Sequence, residues 1–105
     1  MGMKTKRYEG IDAMSFVFNP DQEWWLHEIR VHLNAADGAT ENLVIQMDSD
    51  ISEKYDYILD TEAFAALADY QYLPSRPMHF VTGDGLAMSL ANANNRTWGV
   101  EIIYE

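Results

Sequence analysis

The chain has 105 residues, 48% of them hydrophobic and 12% aromatic, which is enough for one domain with a packed core and unlike a disordered segment. It contains no cysteine, which excludes disulfide bonds and thiolate metal sites. The formal net charge is −10, and such an acidic surface disfavours nucleic acid as a partner. No apolar run reaches the ~18 residues that span a bilayer, and none follows the basic N-terminus, so we expect neither a membrane anchor nor a secretory signal.

The charge is divided unevenly along the chain. Residues 1–10 carry three basic side chains and one acid, whereas residues 11–105 carry four basic and sixteen acidic side chains. We therefore interpret residues 1–10 as a basic N-terminal arm and residues 11–105 as one acidic domain. Lys4, Lys6 and Arg7 in this arm are candidates for contacts with carboxylates of a neighbouring copy. The alternative is that the arm is a disordered terminus.

The first two predicted strands lie in residues 12–33. Residues 12–19 alternate weakly between apolar and polar side chains, and Asn19-Pro20-Asp21 predicts a turn. Residues 23–33, EWWLHEIRVHL, predict the central strand because β-branched and aromatic residues dominate them. Alternation along this strand places on the core face Trp25, His27, Ile29, Val31 and Leu33. The opposite face carries Trp24, Leu26, Glu28, Arg30 and His32.

Residues 34–68 predict two more strands and a short helix. The loop at residues 34–40 contains an Asp37-Gly38 turn pair and leads into a strand at residues 41–48, which we expect to form a hairpin with the central strand. A short strand is predicted at residues 55–60. The helix formers of residues 62–68, EAFAALA, predict one or two helical turns.

The last part of the chain predicts four short strands separated by turns. Pro74 and Pro77 predict a rigid bend or a sheet edge, and residues 92–96, NANNR, predict a tight turn. The predicted strands are residues 69–73, 78–81, 86–90 and 97–104. On the last of them one face carries Trp98, Val100, Ile102 and Tyr104. About eight short strands with turn signals every 8–12 residues predict an all-β fold, an antiparallel, jelly-roll-like β-sandwich.

No pattern of chemistry-bearing residues predicts a catalytic or metal site. Asp48, Asp50 and Asp56 resemble part of a calcium loop, but Glu53 stands where the loop needs glycine, and we interpret the segment as a solvated acidic loop. His27 and His32 would face opposite sides of one strand and could not share a metal ion. The sequence has no nucleophile motif or phosphate-binding loop. We therefore expect neither an enzyme nor a cofactor.

The aromatic side chains allow two interpretations. Trp25 and Trp98 are predicted to lie in the core, whereas Trp24 is either packed under a loop or exposed as an interface anchor. Tyr55 with Tyr57, and Tyr70 with Tyr72, share faces of their strands. Exposed tyrosine and tryptophan can stack on sugars, but the same residues often fill a core, and we favour the core.

A family resemblance adds to these patterns. Residues 30–49 (RVHLNAADGATENLVIQMDS), the YDYIL segment and residues 74–105 resemble a group of small all-β proteins encoded among the virion genes of tailed bacteriophages. The most specific part is GDGLAMSLANANNRTWGVEI, which we interpret as a final hairpin. The resemblance covers roughly residues 23–105 and leaves the arm outside it.

The resemblance implies a function as well as a fold. It implies a non-enzymatic virion structural protein, assembled in the host cytoplasm, that decorates or cements a head or head–tail junction. Its partners would be other virion proteins and further copies of the chain, with contacts at Lys4, Lys6, Arg7 and Trp24. The alternative is a carbohydrate- or receptor-binding β-sandwich module of a tail or fibre.

Overall fold

The computed structural model describes residues 2–105, and most of this chain lies in β-strands. The strands are β1 (Lys4–Gly10), β2 (Met14–Phe18), β3 (Trp24–Leu33), β4 (Asn42–Asp48), β5 (Tyr57–Ala63), β6 (Asp69–Tyr72), β7 (Met78–Phe80), β8 (Gly85–Leu90) and β9 (Trp98–Tyr104). One turn of 3-10 helix, Glu53–Tyr55, precedes β5. Within residues 2–105 no helix has the length and apolar character needed to cross a bilayer.

The strands form two antiparallel sheets that pack as a sandwich. Sheet A has the order β1-β9-β3-β6, with β7 pairing the first part of β3, and sheet B has the order β2-β8-β4-β5. The pairs are nested: β1 lies beside β9, β2 beside β8, β3 beside β6 and β7, and β4 beside β5. Nested pairing that alternates between two sheets is the jelly-roll topology, so the predicted fold class is confirmed.

Two hairpins predicted from the sequence are absent because the chain changes sheets at those points. Residues 34–41 carry the chain from β3 in sheet A to β4 in sheet B, and residues 91–97 carry it from β8 in sheet B to β9 in sheet A. The predicted pairing of β3 with β4 and the predicted final hairpin are therefore wrong. The loops are eight and seven residues long, longer than most hairpin loops, and each bridges two packed layers about 10 Å apart.

The central strand β3 contains a bulge that reverses part of the predicted face assignment. Its register with β9 shifts between Leu26 and Glu28. One extra residue moves the preceding side chains to the other face of the sheet. Trp24 and Leu26 are therefore buried and Trp25 faces outward, opposite to the prediction. After the bulge the predicted core side chains are confirmed: Ile29, Val31 and Leu33.

The core lies between the sheets and is made by alternating side chains of both. The last strand supplies Trp98, Val100 and Ile102, as its alternation predicted, and Tyr104 packs against them half-buried. Pro74 and Pro77 interrupt the strand beside β3, so that β6 and β7 pair with separate halves of it. The fully buried apolar side chains include Trp24, Leu26, Leu43, Ile45, Phe64, Phe80 and Leu86.

The helix predicted at residues 62–68 is absent. Strand β5 continues through Ala63 by pairing with β4, and a turn then leads to β6. Phe64 begins this turn and is fully buried, and its N–H donates to the Glu41 carbonyl at 3.0 Å. Seven residues are too few to hold a helix without tertiary support, and here the tertiary contacts favour the strand.

The basic segment predicted as an arm is an edge strand of sheet A. Residues 4–10 pair with β9 over seven register positions, and Met1 lies outside the described residues. Lys4 and Lys6 stand opposite Tyr104 and Ile102, on the inner side of the sheet. The disordered-terminus alternative is therefore wrong.

Strand β5, at one edge of sheet B, carries charges on its inner side in the same way. Asp60 and Glu62 stand opposite Ile45 and Leu43, whose side chains are buried in the core. The Tyr70 hydroxyl of sheet A donates a hydrogen bond to the Asp60 carboxylate. Burial is the first cause that raises the pKa of Tyr70, and the hydrogen bond with Asp60 adds to it.

Candidate functional site

The structure places the predicted interface residue Trp24 in the core. Its side chain has no exposed surface, its ring stacks on Phe80 with centroids 4.1 Å apart, and its Nε1–H donates to the Asp84 carbonyl at 3.1 Å. Trp24 is therefore not an exposed anchor, and that part of the prediction is wrong. Its neighbour Trp25 is the exposed tryptophan, with 37% of its surface accessible and its ring stacked on His79.

The three basic residues of the predicted interface all have partners within the chain. The Lys4 Nζ lies 5.9 Å from the centre of the Tyr104 ring, and the Lys6 Nζ lies 5.2 Å from that of Tyr8. Arg7 points to the outer side, where its Nε donates to the Glu101 carboxylate at 2.8 Å. The contact of these three residues with a neighbouring copy stays a prediction. The partners within the chain would compete with carboxylates of that copy.

The outer face of sheet A is densely charged. Four side chains follow one another across the sheet in register, Arg7 on β1, Glu101 on β9, Arg30 on β3 and Gln71 on β6. In the next row Gly99 lies between Glu9 and His32, and the missing side chain leaves a depression of about 810 Å³.

The charged groups of this face mainly satisfy one another. The Arg30 Nε donates to the Glu28 carboxylate at 2.7 Å, and Gln71 donates to the same carboxylate. The hydrogen bond from Arg30, followed by that from Gln71, holds the pKa of Glu28 below its usual value. His32 pairs with Asp69 at 2.5 Å. The face therefore presents a polar surface whose strongest donors and acceptors are already engaged.

The outer face of sheet B is uncharged at its centre. Two rows cross its four strands in register: Ser15, Ser89, Val44 and Thr61, and then Val17, Ala87, Gln46 and Ile58. None of these eight side chains ionises, although the chain carries 24 charged residues. Val17 and Ile58 are 48% and 56% exposed at opposite ends of their row. We call these eight residues the uncharged face.

Exposed apolar side chains also lie near the start of β5. Ile51 is 78% exposed, and Tyr55 and Tyr57 on either side of Asp56 are exposed as well. Ile51 and Tyr55 precede β5 and Tyr57 begins it, so the core position that the sequence favoured for the two tyrosines is wrong. An uncharged surface with exposed aliphatic side chains such as Val17 and Ile58 is the kind of surface that other proteins cover.

The histidines and acidic loop do not form a metal site. The three histidines lie apart, each beside a carboxylate of its own: His27 near Glu105, His32 near Asp69, and His79 near Glu23. In the acidic loop the Asp56 carboxylate accepts the Ser49 N–H at 2.8 Å, which is a local turn contact. Within residues 2–105 no group of three or more histidine or acidic side chains could hold a metal ion.

No protein-family model matches the sequence, and no curated protein sequence matches it significantly.

Sequence reasoning missed the uncharged face, although its signal was present. The outward positions of β2 and β8, and those of β4 up to Gln46, lack charge, and a strand that buries only one face usually carries charged or polar side chains on the other. Knowing which strands are neighbours was needed to see that these positions form one surface. The predicted hairpin placed β4 beside β3. That arrangement would have separated β4 from β2 and β8 and interrupted both rows.

Proposed function

We propose that this chain is a non-enzymatic structural subunit of a tailed-bacteriophage virion, an accessory protein that decorates or cements a head or head–tail junction and associates with copies of itself. The observation that carries the proposal is the uncharged face on an otherwise acidic molecule. The jelly roll, which viral capsid domains use among others, and the resemblance of residues 23–105 to small virion proteins also support it.

The uncharged face suits a second copy of the chain. Two molecules of net charge −10 repel each other, and the repulsion is smallest where they can meet without bringing charges together. No charged group at the centre of this face must lose its water on contact, so the desolvation cost is low. An identical face needs no complementary charge pattern, which allows a two-fold contact. Sheets packed in this way lie about 10 Å apart.

Sedimentation of the purified chain tests the contact. The Val17→Glu variant places a carboxylate in the face and should be monomeric at concentrations where the native chain associates. Thr5→Glu, an exposed position on the outer side of sheet A, is the matched control and should associate normally. Raising the salt concentration should strengthen association because it screens the repulsion between acidic bodies.

The sign of the salt effect also separates two kinds of contact. Association through Lys4, Lys6 and Arg7 against carboxylates of a neighbour would weaken as salt is added. A native chain that is monomeric at every concentration, or a Val17→Glu variant that associates as the native chain does, would refute the face contact.

Mass spectrometry and low-resolution imaging test the role in the virion. Purified particles of the phage that encodes the chain should contain it in many copies, and a label on it should mark a regular position on the head or neck. Its absence from purified particles would refute the virion role even if the chain self-associates.

A second candidate function is carbohydrate or receptor binding on a tail or fibre. The observation that favours it is the depression of about 810 Å³ on the outer face of sheet A, with Trp25 exposed on the same side of the sheet. Polar side chains and an exposed aromatic ring are what sugar recognition uses. A glycan array probed with the native chain tests it, with Trp25→Ala as the variant that should lose binding. If the native chain binds no glycan on the array, carbohydrate binding is refuted.

A further inference from the structure

Three crossing segments meet at one end of the sandwich around Asp37. The Asp37 N–H donates to the Leu67 carbonyl at 3.0 Å, and the neighbouring Gly38 N–H donates to the Ala65 carbonyl at 2.8 Å. From the third segment the Asn94 Nδ2 donates to the Asp37 carbonyl at 2.9 Å. Asp37 thus lies where residues 34–41, 64–68 and 91–97 are tied together.

The carboxylate of Asp37 is buried without a donor. Asp37 has no exposed surface, and neither of its carboxylate oxygens has a hydrogen-bond partner among the described residues. One oxygen of Glu41, Oε1, is buried and lacks a partner in the same way. The other, Oε2, accepts the Ala93 N–H at 3.3 Å. The two carboxyl groups lie within hydrogen-bonding range of each other.

A buried carboxylate beside a half-buried one needs a compensating positive charge. Burying an ionised carboxylate without a partner costs several kcal/mol, and a second one beside it adds repulsion. The charge of Arg96 acts to lower the pKa of Asp37, but the Arg96 Nε donates to the Ala36 carbonyl at 2.9 Å, and no ion pair among the described residues joins Arg96 to either carboxylate. The segment 64–68 offers no titratable side chain. The residues present therefore offset the charge of the pair only in part.

We propose that Asp37 and Glu41 bind a divalent cation and that Ca²⁺ is the ion that fits the pair best. The ligands on offer are carboxylate oxygens, which hard cations prefer, and neither histidine nor cysteine is at hand for a transition metal. Ca²⁺ accepts irregular shells completed by backbone carbonyls and water, whereas Mg²⁺ demands near-ideal octahedral geometry. Gly38 and Thr40, which lie between Asp37 and Glu41 in the chain, are exposed, so the site lies just beneath the surface.

A shared proton is the rival occupant, and the two compete. Burial first, and then the neighbouring Glu41 carboxyl, raises the pKa of Asp37 to about 6. Below that pH the proton partly neutralises the pair. Above it the Asp37 carboxyl is ionised, so cation binding should strengthen as the pH rises through 6 and should release protons near that pH.

The cation would stabilise this end of the fold. A ligand that binds only the folded state raises its stability, and the site holds three segments that join the two sheets. This inference does not depend on the proposed self-association, because none of the residues of the uncharged face lines the Asp37–Glu41 site.

Thermal unfolding of the full chain tests the site. After treatment with a chelator and dialysis at pH 7.5, CaCl₂ at saturating concentration should raise the unfolding midpoint of the native chain by about 5–10 °C. Asp37→Asn should abolish the rise. Asp50→Ala, in the exposed acidic loop, is the matched control and should retain it.

A second variant and a direct titration keep the test valid even if Asp37→Asn fails to fold. Glu41→Gln removes the other ligand and should also abolish the rise, and calorimetric titration of the native chain with CaCl₂ should show one site per chain. An unfolding midpoint of the native chain that CaCl₂ does not change, together with no heat of binding, would overturn the proposal. The shared proton would then remain as the occupant of the Asp37–Glu41 site. A rise that Asp50→Ala abolishes and Asp37→Asn retains would overturn it as well.

Discussion

Trp24 on β3 stacks on Phe80 on β7, with ring centroids 4.1 Å apart and planes inclined by 23°. The two residues are register partners, so the stack continues the backbone pairing of the two strands into the core. Phe18 and Tyr104 meet the same indole edge-on, with centroids 5.2 and 5.9 Å away. This cluster joins both sheets at one end of the sandwich.

Replacing Trp24 should be far more costly than replacing its neighbour. Trp24→Ala removes a fully buried ring and should lower the free energy of unfolding by about 3–5 kcal/mol. Trp25→Ala, at the exposed position, should cost about 1 kcal/mol or less. Urea denaturation of both variants measures the difference. The reverse ranking would mean that β3 has no bulge before Glu28.

The final strand allows a similar comparison. Trp98 is 6% exposed and its Nε1–H donates to the Asp12 carbonyl at 2.8 Å, so Trp98→Ala should cost about 3–5 kcal/mol. Glu101, on the outer face of the same strand, should tolerate alanine within about 0.5 kcal/mol. An unchanged urea midpoint for Trp98→Ala would contradict the assigned face.

Two glycines should respond differently to alanine. A Cβ at Gly10 would lie 2.8 Å from the Trp98 ring, whereas a Cβ at Gly99 would meet nothing within 4 Å. Gly10→Ala should therefore destabilise the fold by about 1–3 kcal/mol. Gly99→Ala should change stability by about 0.5 kcal/mol or less. Equal thermal midpoints for the two variants would show that the Trp98 ring can move aside.

Stability without added cation should fall as the pH rises from about 4 to 6. The pKa of Asp37 is raised from 3.8 to about 6, so the folded state holds its proton more tightly than the unfolded chain does. That contribution is complete below pH 4 and is lost as the pH rises through 6, on the order of 2 kcal/mol. Asp37→Asn cannot titrate, and its pH profile subtracted from that of the native chain isolates the effect. A flat difference curve would contradict the raised pKa.

Removing residues 1–10 should do more than weaken association. The deletion takes away β1 and leaves the backbone of β9 unpaired along that edge, so the thermal midpoint should fall markedly. Lys4→Gln with Lys6→Gln keeps the strand and should leave the midpoint nearly unchanged. A truncated chain as stable as the native one would show that β1 is dispensable.

Alternation of apolar residues predicted much of the fold correctly. It identified strands at the positions of β2, β3, β4, β6, β7, β8 and β9, and it placed Leu43, Ile45, Leu86, Met88 and Leu90 inward. Turn residues were equally informative, since Asn92 and Asn95 in the predicted tight turn both have positive φ. These features depend on local chemistry, which the sequence displays directly.

The errors arose where distant contacts decide the structure. Trp24 and Trp25 are alike in hydrophobicity, and only the pairing of β3 with β9 creates the bulge that buries the first. The loops at residues 34–41 and 91–97 carry turn residues like those of hairpin loops, but the pairing of distant strands sets their direction. The buried Asp37 was hidden for the same reason, because an Asp-Gly pair ordinarily indicates an exposed turn.

The charges on the inner sides of β1 and β5, which form two of the four sheet edges, limit how the molecule can be extended there. Another strand added to β1 or β5 would have to bury Lys4 and Lys6, or Asp60 and Glu62, beside its own side chains. Copies of this chain are thereby kept from joining through these two edges into extended ribbons. Growth through one broad face ends once that face is covered, so the number of copies in an assembly would be set by the surface beneath them and not by the protein's own tendency to polymerise.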